Sequence, residues 1–436
     1  MDVPDVRYAR SGGVAVAYQV VGDGPVDFVY APHLTNLWTL WQSPLMEPFL
    51  SRLADQVRLV VFNPRGTGLS DRPRNVTLEA RMDDISAVLD ALELQRATLF
   101  GVAESANVCA LYAATYPERC DRLALFGPYA RSVRSDSYPY GATEEDWLEW
   151  VRQVRDRWGD RDFLEEFARR IDPTIADSDW FVWMHRLSAS PSAAADFARM
   201  QLETDVTDVL GSIRVPTLVL YRTRTRDPGR YVAERIPGAE TVEFGGESIG
   251  PYSDDVADAL LAFVRAEPTH VVPDSVLATV LFTDLVSSTE RAAEIGDRGW
   301  RELLERHQVE VRREVARYRG VEIDTAGDGF FCRFDGPARA ISCATRIVEG
   351  AGRLGLEVRA GIHTGECEVI GDKIAGIAVN LGSRIAGTAA PAEVLVSSTV
   401  KDLVAGSGFT FDDRGEHVLK GLPGSWRLFS VVPSTG

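Results

Sequence analysis

Residues 99–120 read LFGVAESANVCALYAATYPERC, and this stretch decides the fold of the first half of the chain. An apolar run is followed by a short turn around Ala103 and then by apolar residues at helical spacing. Short, continuous apolar runs are typical of strands that are buried on both faces of a parallel sheet. The stretch therefore predicts a buried strand, a tight turn and a helix.

Other apolar runs of the same kind lie on both sides of this stretch. They are VDFVYAP at 26–32, VRLVVFN at 57–63, RLALFG at 122–127 and PTLVLY at 216–221. Amphipathic segments separate them, which is the βαβ rhythm of an α/β fold. Over about 131–209 the rhythm stops, and a helical segment rich in tryptophan replaces it. We predict an α/β domain over residues 1–265, with a parallel-rich sheet and an inserted helical cap.

The second half of the chain has a different pattern. Residues 266–275 hold two prolines, which favours a linker between domains. A strand over 276–285, a long charged helix, and a hairpin over 321–334 with Gly-Asp-Gly at its turn follow it. Further helices and short strands complete the block. Helices packed on a mostly antiparallel sheet predict an α+β, ferredoxin-like domain over 276–436.

Charge and cysteine usage exclude several classes of protein. The 436-residue chain carries a formal net charge of −17, of which the first 275 residues carry −14. Such an acidic surface repels phosphate backbones, so we expect no nucleic-acid binding. No apolar run is long enough to span a membrane, and the N-terminus is too polar for a signal peptide. The five cysteines form no CxxC pair, so we expect buried thiols in a cytoplasmic protein.

The first domain resembles the α/β-hydrolase family through its strand spacing, the segment FNPRGTGLSD at 62–71 and the stretch at 99–120. The family places its nucleophile in a strained G-x-S-x-G turn. The matching position here holds Ala103, which has no nucleophilic atom. By the same resemblance, Thr225 stands at the position of the triad acid and Ile249 at that of the histidine. We therefore expect a hydrolase fold without hydrolase activity.

Such a domain could keep its pocket after losing its triad. We predict that His33, Trp38 and Trp41, together with the tryptophans of the cap, line a cavity for a small apolar ligand. The alternative is that these aromatic side chains are only part of the hydrophobic core.

Four separated motifs mark the second domain. They are FTDLVSST at 282–289, TAGDG at 325–329, AVNLGSR at 378–384 and KG at 420–421. Their order and spacing resemble the class III adenylate/guanylate cyclase catalytic domain over residues 276–436. The resemblance implies a nucleoside triphosphate substrate and a site that is split between two copies of the chain in a homodimer.

The resemblance also assigns roles to individual residues. Asp284, Asp328 and the Leu285 carbonyl would hold two Mg²⁺ or Mn²⁺ ions, for which carboxylates are suitable ligands. Asn380 would orient the ribose, and Arg384 would hold the α-phosphate while charge develops on it. These two residues are four apart, so they share one face of a helix. Lys420 matches the lysine that binds the triphosphate.

The residues expected to read the base depart from the family pattern. Adenylate cyclases of this family have a lysine where Asp324 stands and an aspartate where Lys373 stands. Asp324 only accepts hydrogen bonds and Lys373 only donates them, which is an argument for guanine. The alternatives are that the pair serves adenine in a different pose or does not touch the base at all. Asp372 could take the second role if the loop shifts by one residue. We place ATP ahead of GTP as the substrate.

Three hypotheses follow from this sequence. The first is an active homodimeric nucleotide cyclase with a catalytically dead hydrolase domain as its sensor or regulator. The second is a non-catalytic binding or signalling protein in which both domains are degenerate. The third is an unconventional hydrolase whose cyclase domain only dimerises.

Overall fold

The computed structural model describes residues 3–73, 76–175, 178–246, 248–266, 274–371 and 373–432. Internal contacts divide the chain into two compact units, Met1–Pro273 and Asp274–Gly436, called here the front unit and the rear unit. Most of the predicted linker lies outside the described residues. No helix within the described ranges is long and apolar enough to cross a membrane. All five cysteines are buried and unpaired, as predicted.

The front unit is built on a mixed sheet of eight strands in the order β1-β2-β4-β3-β5-β6-β7-β8. The strands β1, β2 and β4 pair antiparallel, and the remaining neighbours pair parallel. The strands are β1 (Arg7–Ser11), β2 (Val14–Val21), β3 (Asp27–Ala31), β4 (Arg58–Phe62), β5 (Ala97–Val102), β6 (Cys120–Phe126), β7 (Thr217–Arg222) and β8 (Glu240–Phe244). The predicted parallel-rich α/β sheet is confirmed, with an antiparallel edge.

Helices follow most of these strands, and four of them form the predicted inserted cap. The helices are α1 (Leu37–Leu40), α2 (Met46–Ala54), α3 (Leu78–Ala91), α4 (Glu104–Thr115), α5 (Glu144–Arg157), α6 (Arg161–Ile171), α7 (Asp179–Ser188), α8 (Pro191–Glu203), α9 (Thr207–Leu210), α10 (Arg226–Ala233) and α11 (Asp254–Arg265). The cap helices are α5 to α8. Ser190 caps α8 by accepting a hydrogen bond from the backbone of Ala193, and Pro191 occupies the first helical position.

The rear unit contains a second sheet, in the order β10-β11-β9-β12-β14-β16-β15, with the short β13 paired to β12. Among the described strands of the rear unit, only β12 and β14 pair parallel, which confirms the predicted mostly antiparallel α+β fold. The strands are β9 (Ser275–Leu285), β10 (Val321–Ala326), β11 (Gly329–Phe334), β12 (Val358–Ile370), β13 (Lys373–Ala375), β14 (Val394–Ser397), β15 (Thr410–His417) and β16 (Trp426–Val432).

The helices of the rear unit cover the two faces of this sheet unequally. They are α12 (Ser288–Arg317), α13 (Pro337–Arg353), α14 (Ile377–Thr388) and α15 (Ser398–Leu403). Alternate residues of β9 enter different apolar clusters: Leu281 packs with residues of α12 and α13, and Val280 packs with Ala378 of α14. Phe282, which points toward α14, stays only partly buried beside the stacked ring of Phe331. The α14 face of the sheet is therefore the less covered one.

Two glycines let α14 approach the sheet closely. A β-carbon on Gly361 of β12 would lie 2.0 Å from the backbone nitrogen of Ala386. A β-carbon on Gly382 of α14 would lie 2.6 Å from the side chain of Val280. Real atoms cannot approach to these distances, so α14 keeps its position only while both residues are glycine.

We expect Gly361→Ala to destabilise the rear unit by about 2–3 kcal/mol, because the added methyl group must push α14 away from the sheet. Gly387→Ala, on the same helix, is the matched control, since a β-carbon there meets nothing within 4 Å. It should be neutral or stabilising by up to about 1 kcal/mol. Chemical unfolding of the full chain measures both. Equal effects of the two substitutions would contradict the close contact.

Candidate functional site

The two aspartates expected to hold metal lie at one end of adjacent strands. Asp284 is next to the last residue of β9, and Asp328 lies in the turn that joins β10 to β11. Phe330 of β11 pairs with Thr283 of β9, and this register brings the turn beside Asp284. The structure thus places the two residues at the same end of neighbouring strands of the sheet.

Asp284 already has a cationic partner that the sequence reasoning missed. Arg359 of β12 is its direct cross-strand neighbour, and its Nε and one terminal nitrogen donate to Asp284 Oδ2 at 3.0 and 2.5 Å. The Asp284 side chain remains 41% exposed. Another terminal nitrogen of Arg359 donates to the carbonyl of Gly387 at 3.4 Å. Arg359 therefore links the aspartate to the C-terminal end of α14.

Asn380 and Arg384 lie on the outer face of α14. Ala378, Gly382 and Ile385 are buried against the sheet and its flank, while Asn380 and Arg384 are exposed. At 100° per residue, both exposed side chains start from the side of the helix opposite Gly382. They therefore point away from the sheet that carries Asp284 and Asp328. One copy of the chain does not bring its two sets of predicted site residues together.

Lys420 is placed beside the same helix. Its neighbour Leu419 is buried in a small cluster that also contains Leu381 and Ile385 of α14. Lys420 itself is exposed, in the turn that precedes β16. The packing of Leu419 therefore places an exposed cation on the flank of α14, on the side of Asn380 and Arg384 rather than of the aspartates.

The two residues expected to read the base are exposed on short or outer strands. Asp324 follows a register shift in β10, the edge strand, and its carboxylate accepts from the backbone nitrogen of Thr325 at 3.0 Å. Lys373 opens β13, opposite Ile370. Within the described ranges they form no ion pair with each other. Asp372, the alternative to Lys373, lies outside the described residues.

The turn between β5 and α4 keeps a strained backbone without a reactive side chain. Ala103 has φ 52° and ψ −114°, a left-handed conformation that a residue with a β-carbon rarely adopts. A β-carbon on Gly101 would lie 2.7 Å from the Cα of Ala106, so the strand and the helix meet tightly here. This is the geometry of a strand-to-helix nucleophile turn, and a methyl group stands where the attacking oxygen would be.

Ser105 cannot replace the missing nucleophile. Its side chain is fully buried, and its hydroxyl donates to the Ala31 carbonyl at 2.6 Å. The same hydroxyl oxygen accepts from the backbone nitrogen of Val102 at 2.8 Å. Ser105 therefore ties the start of α4 to the sheet and is closed to substrate.

The two other triad positions, Ile249 and Thr225, lie in different places: the first is in the cavity wall and the second is not. Ile249 lines the same cavity as Ala103, and its backbone nitrogen donates to the carbonyl of Ile171 in the cap. Thr225 ends a short 3₁₀ turn after β7, where its hydroxyl accepts from the backbone nitrogen of Arg222 at 3.2 Å. Thr225 is not part of the cavity wall. Neither side chain offers the acid–base chemistry of a triad.

A cavity of about 660 Å³ lies at this turn, between the sheet and the cap. Its wall is mostly aromatic and aliphatic, and its large side chains include Trp147, Trp150, Trp158, Phe167, Trp180, Phe181, Met184 and Phe197 together with the tyrosines Tyr30, Tyr129, Tyr138 and Tyr252. His33 lies in the wall, as predicted. The volume is in the range that takes a small organic molecule.

Three tryptophans expected at the cavity lie elsewhere. Trp41 is buried in the core, where its indole nitrogen donates to the Gln19 side chain at 2.9 Å. Trp38 is 53% exposed and Trp183 is 47% exposed, and neither belongs to the cavity wall. The prediction was wrong for Trp38 and Trp41, because the first side chain is exposed to solvent and the second packs in the core beneath the cap.

Glu104 and Arg81 form a buried ion pair next to the cavity wall. Glu104, the residue after Ala103, is 3% exposed and accepts a short hydrogen bond from Arg81 of α3. His33 Nε2 lies 3.9 Å from its other carboxylate oxygen. Burial lowers the pKa of His33, and this effect exceeds the opposing effect of Glu104. No local motif indicates this cluster, because its three members come from separate segments of the chain.

Comparison with known proteins agrees with both geometries. Residues 34–247 match the family described as "alpha/beta hydrolase fold", and residues 273–432 match "Adenylate and Guanylate cyclase catalytic domain". The putative carbamate hydrolase RutD of Caulobacter sp. strain K31 is 33% identical over 282 residues, which cover 59% of this chain and 99% of that protein. The chain is an α/β-hydrolase-fold domain joined to a class III cyclase domain.

Two further similarities extend this result. The hydrolase-fold domain is similar to a bromoperoxidase from Bacillus anthracis, with a TM-score of 0.52 and 21% identity over 60% of this chain and 100% of that one. The pH-sensitive adenylate cyclase MT1302 of Mycobacterium tuberculosis strain CDC 1551 / Oshkosh is 25% identical over 317 residues, covering 64% of this chain and 77% of that protein.

The buried histidine His185 of the cavity wall should make the hydrolase-fold domain sensitive to acid. It is 2% exposed, and burial lowers its pKa to about 4, against about 6.5 in an unfolded chain. Between pH 6.5 and pH 4 the histidine is protonated in the unfolded state and neutral in the folded state. The free energy of unfolding is therefore highest above pH 6.5 and decreases as the pH falls toward 4.

We expect His185 to remove about 2 kcal/mol of stability between pH 7.5 and pH 5. In His185→Gln that part of the pH dependence should vanish, whatever the substitution does to stability at neutral pH. Seven of the nine tryptophans lie in the front unit, so urea unfolding followed by tryptophan fluorescence reports mainly on it. Identical pH dependence in the variant and the parent chain would contradict the assignment.

Proposed function

We propose that this chain is a homodimeric nucleotide cyclase that converts ATP to the 3′,5′-cyclic nucleotide and pyrophosphate, with GTP as the alternative substrate. The observation that carries the proposal is the opposite placement of the two groups of site residues. Asp284 and Asp328 lie where neighbouring strands of the sheet end, while Asn380 and Arg384 face outward from α14. A second copy, turned by a twofold axis, can present its α14 to these strand ends of the first.

The aspartates suit the divalent ions that the cyclase family uses. Mg²⁺ and Mn²⁺ prefer carboxylate oxygens, and Arg359 occupies only Oδ2 of Asp284. Asp284, Asp328 and the Leu285 carbonyl would hold two ions together with oxygens of the substrate. When bound, such ions neutralise phosphate charge and favour ionisation of the attacking hydroxyl.

The side chains of the partner's helix would complete the site. The ribose 3′ oxygen forms a bond to the α-phosphorus, and the bond from that phosphorus to the pyrophosphate oxygen breaks. The Asn380 amide is suited to hold the ribose in position, and the Arg384 guanidinium matches two phosphate oxygens on which charge develops. Lys420, on the flank of the same helix, would balance the charge of the triphosphate.

The identity of the base depends on two residues, Asp324 and Lys373. Asp324 offers only acceptors and Lys373 only donors, the reverse of the family's adenine-reading pair. Guanine presents donors at N1 and N2 to an acceptor such as Asp324. The similarity to a protein that is named an adenylate cyclase supports ATP as the substrate of this chain. The nucleotide assay below decides between the two bases.

The hydrolase-fold domain would act as a regulator without hydrolysing anything. Ala103 supplies no nucleophile, and Ser105 is buried and fully hydrogen-bonded within its own domain. The cavity at the turn remains open to a small molecule. A bound ligand can shift cyclase activity only by its different affinity for active and inactive dimers.

The first test is formation of cyclic nucleotide and pyrophosphate by the purified chain with Mn²⁺ and either ATP or GTP. We expect Asp284→Ala and Asp328→Ala to retain less than about 5% of the activity while the protein stays folded. Asp412→Ala, an exposed aspartate on the opposite edge strand β15, is the control and should retain full activity. Activity that survives both site substitutions would refute the metal assignment.

The second test is complementation between two inactive variants. Asp284→Ala and Arg384→Ala damage different halves of the shared site, so a mixed dimer keeps one intact site of two. Random exchange of subunits makes half of the dimers mixed, which predicts recovery of about a quarter of the parent activity.

The control mixture combines Asp284→Ala with Asp328→Ala, which damage the same half. Every mixed dimer then has a defect at both sites, and no activity should return. Failure of the first mixture, with subunit exchange confirmed by a tagged copy, would show that the site is not shared between chains.

A further inference from the structure

We propose that His307 of α12 is a positioning residue of the cyclase site. A hydrogen bond from its Nε2, direct or through one water molecule, orients the Asp328 carboxylate for the divalent cation. This inference rests on the proposed function, because it takes Asp328 to be a ligand of that cation. Its test measures cation binding and stability as well as activity, so the two proposals can fail separately.

The backbone of Asp328 is fixed by the hairpin, whereas its side chain is not. Gly327 and Asp328 form the two-residue turn between the paired strands β10 and β11, and Gly327 has φ 67°, in the left-handed region that such turns use. The other aspartate, Asp284, is oriented by Arg359. Among the described residues, the Asp328 carboxylate has no comparable ion pair. Carboxylates that bind metal are normally held by a hydrogen bond from a second group.

Helix α12 packs directly against this turn. The Gln308 side chain donates to the Gly327 carbonyl at 3.4 Å. The His307 ring meets the Phe330 ring edge to face, with 6.4 Å between the ring centres, two residues after Asp328. Two successive residues of α12 therefore contact the turn and the strand that follows it, and His307 is the buried one of the two.

The imidazole of His307 has an unused hydrogen-bonding atom. The residue is 1% exposed, and its Nε2 forms no hydrogen bond with any described residue. Glu310 and Asp328 are the two carboxylates whose charges act on the ring. Glu310 is already paired with Arg313 at 3.1 Å and with Arg353 at 2.8 Å. Asp328 is therefore the carboxylate that Nε2 can orient.

A second polar atom without a partner lies on the same face of the sheet. Thr283 is 4% exposed, and its Oγ1 also forms no hydrogen bond with a described residue. Thr283 is the direct cross-strand neighbour of Phe330, against which the His307 ring packs. The remaining buried side-chain atom of this kind in the described part of the rear unit is Nε1 of Trp426, in β16 near the other edge of the sheet. Unsatisfied polar groups are thus concentrated beside the turn that carries Asp328.

A packing role does not explain a histidine at this position. An unpaired polar atom in a core lowers stability, and leucine would fill a similar space without that cost. Burial lowers the pKa of His307, and this effect exceeds the opposing effects of Glu310 and Asp328. The ring is therefore neutral at neutral pH and carries one N–H donor. A neutral donor orients a carboxylate without adding a positive charge that would repel a divalent cation.

Mn²⁺ binding to the full chain, followed by electron paramagnetic resonance of the free ion, tests the proposal. The binding that Asp328→Ala abolishes defines the site. We expect His307→Leu to raise the dissociation constant of that site about tenfold. His307→Gln keeps an N–H near the position of Nε2 and should bind like the parent. In the cyclase assay, the deficit of His307→Leu should be largest at low Mn²⁺ and shrink as Mn²⁺ is raised.

Urea unfolding followed by circular dichroism separates this role from a structural one. The midpoint for His307→Leu should be unchanged or higher, because the substitution removes an unpaired buried atom. His363→Leu is the matched control, at a buried histidine of the same domain whose Nδ1 is hydrogen-bonded to the Ser397 hydroxyl at 2.9 Å. That variant should have a lower midpoint and bind Mn²⁺ like the parent. The two substitutions thus have opposite expected effects.

Three results would overturn this inference and leave the proposed function intact. They are equal Mn²⁺ binding by His307→Leu and the parent, equal weakening in His307→Leu and His363→Leu, and loss of the folded state in His307→Leu, which would show a structural role. A parent chain that binds no Mn²⁺ through Asp328 would instead overturn both this inference and the metal assignment of the proposed function.

Discussion

The antiparallel pairing of β9 with β12, continuous over eleven residue pairs, is the interaction on which the cyclase domain depends. It sets Arg359 opposite Asp284 and Gly361 opposite Phe282. The first of these pairs fixes the orientation of a carboxylate at the candidate metal site. The second provides the flat surface on which α14 lies. A shift of β12 by one residue in this register would turn the side chain of Arg359 and the α14 contact of Gly361 to the opposite face of the sheet.

The contact between Arg359 and Asp284 also shows how such a site can be ordered before substrate arrives. Both side chains are partly exposed, so their ion pair contributes little to overall stability. Its effect is local: one carboxylate oxygen is held, and the rest of the side chain remains open to solvent. Because Arg359 also contacts the Gly387 carbonyl, the aspartate and the end of α14 are held by one side chain.

The turn around Ala103 in the hydrolase-fold domain presents a different case, in which a strained backbone carries only a methyl side chain. A left-handed alanine costs about 1–3 kcal/mol, and that cost is offset by the tight contact of β5 with α4 and by the buried hydrogen bonds of Ser105. The turn therefore has a packing role that does not depend on a nucleophile. The cavity between the sheet and the cap lies at this turn, with Ala103 in its wall.

Much of the fold could be predicted from the sequence, because strands, helices and tight turns depend on local spacing. The apolar runs gave the strands of the parallel sheet, and the resemblance of FTDLV and TAGDG to a known family located both aspartates. The identity of Ala103 already excluded a serine nucleophile. Helix α4 begins at Glu104, directly after the turn around Ala103, as the stretch at 99–120 predicts.

Other features were decided only by tertiary structure, because they depend on which distant segments meet. The pairing of Arg359 with Asp284 follows from strand register, and the buried cluster of Arg81 with Glu104 follows from the packing of α3 on α4. Trp38 and Trp150 are chemically alike, yet one is exposed and the other lines the cavity. The sequence by itself determined which chemical groups the protein has. Long-range packing decided which of them face each other, since side-chain direction is set by contacts that local spacing does not record.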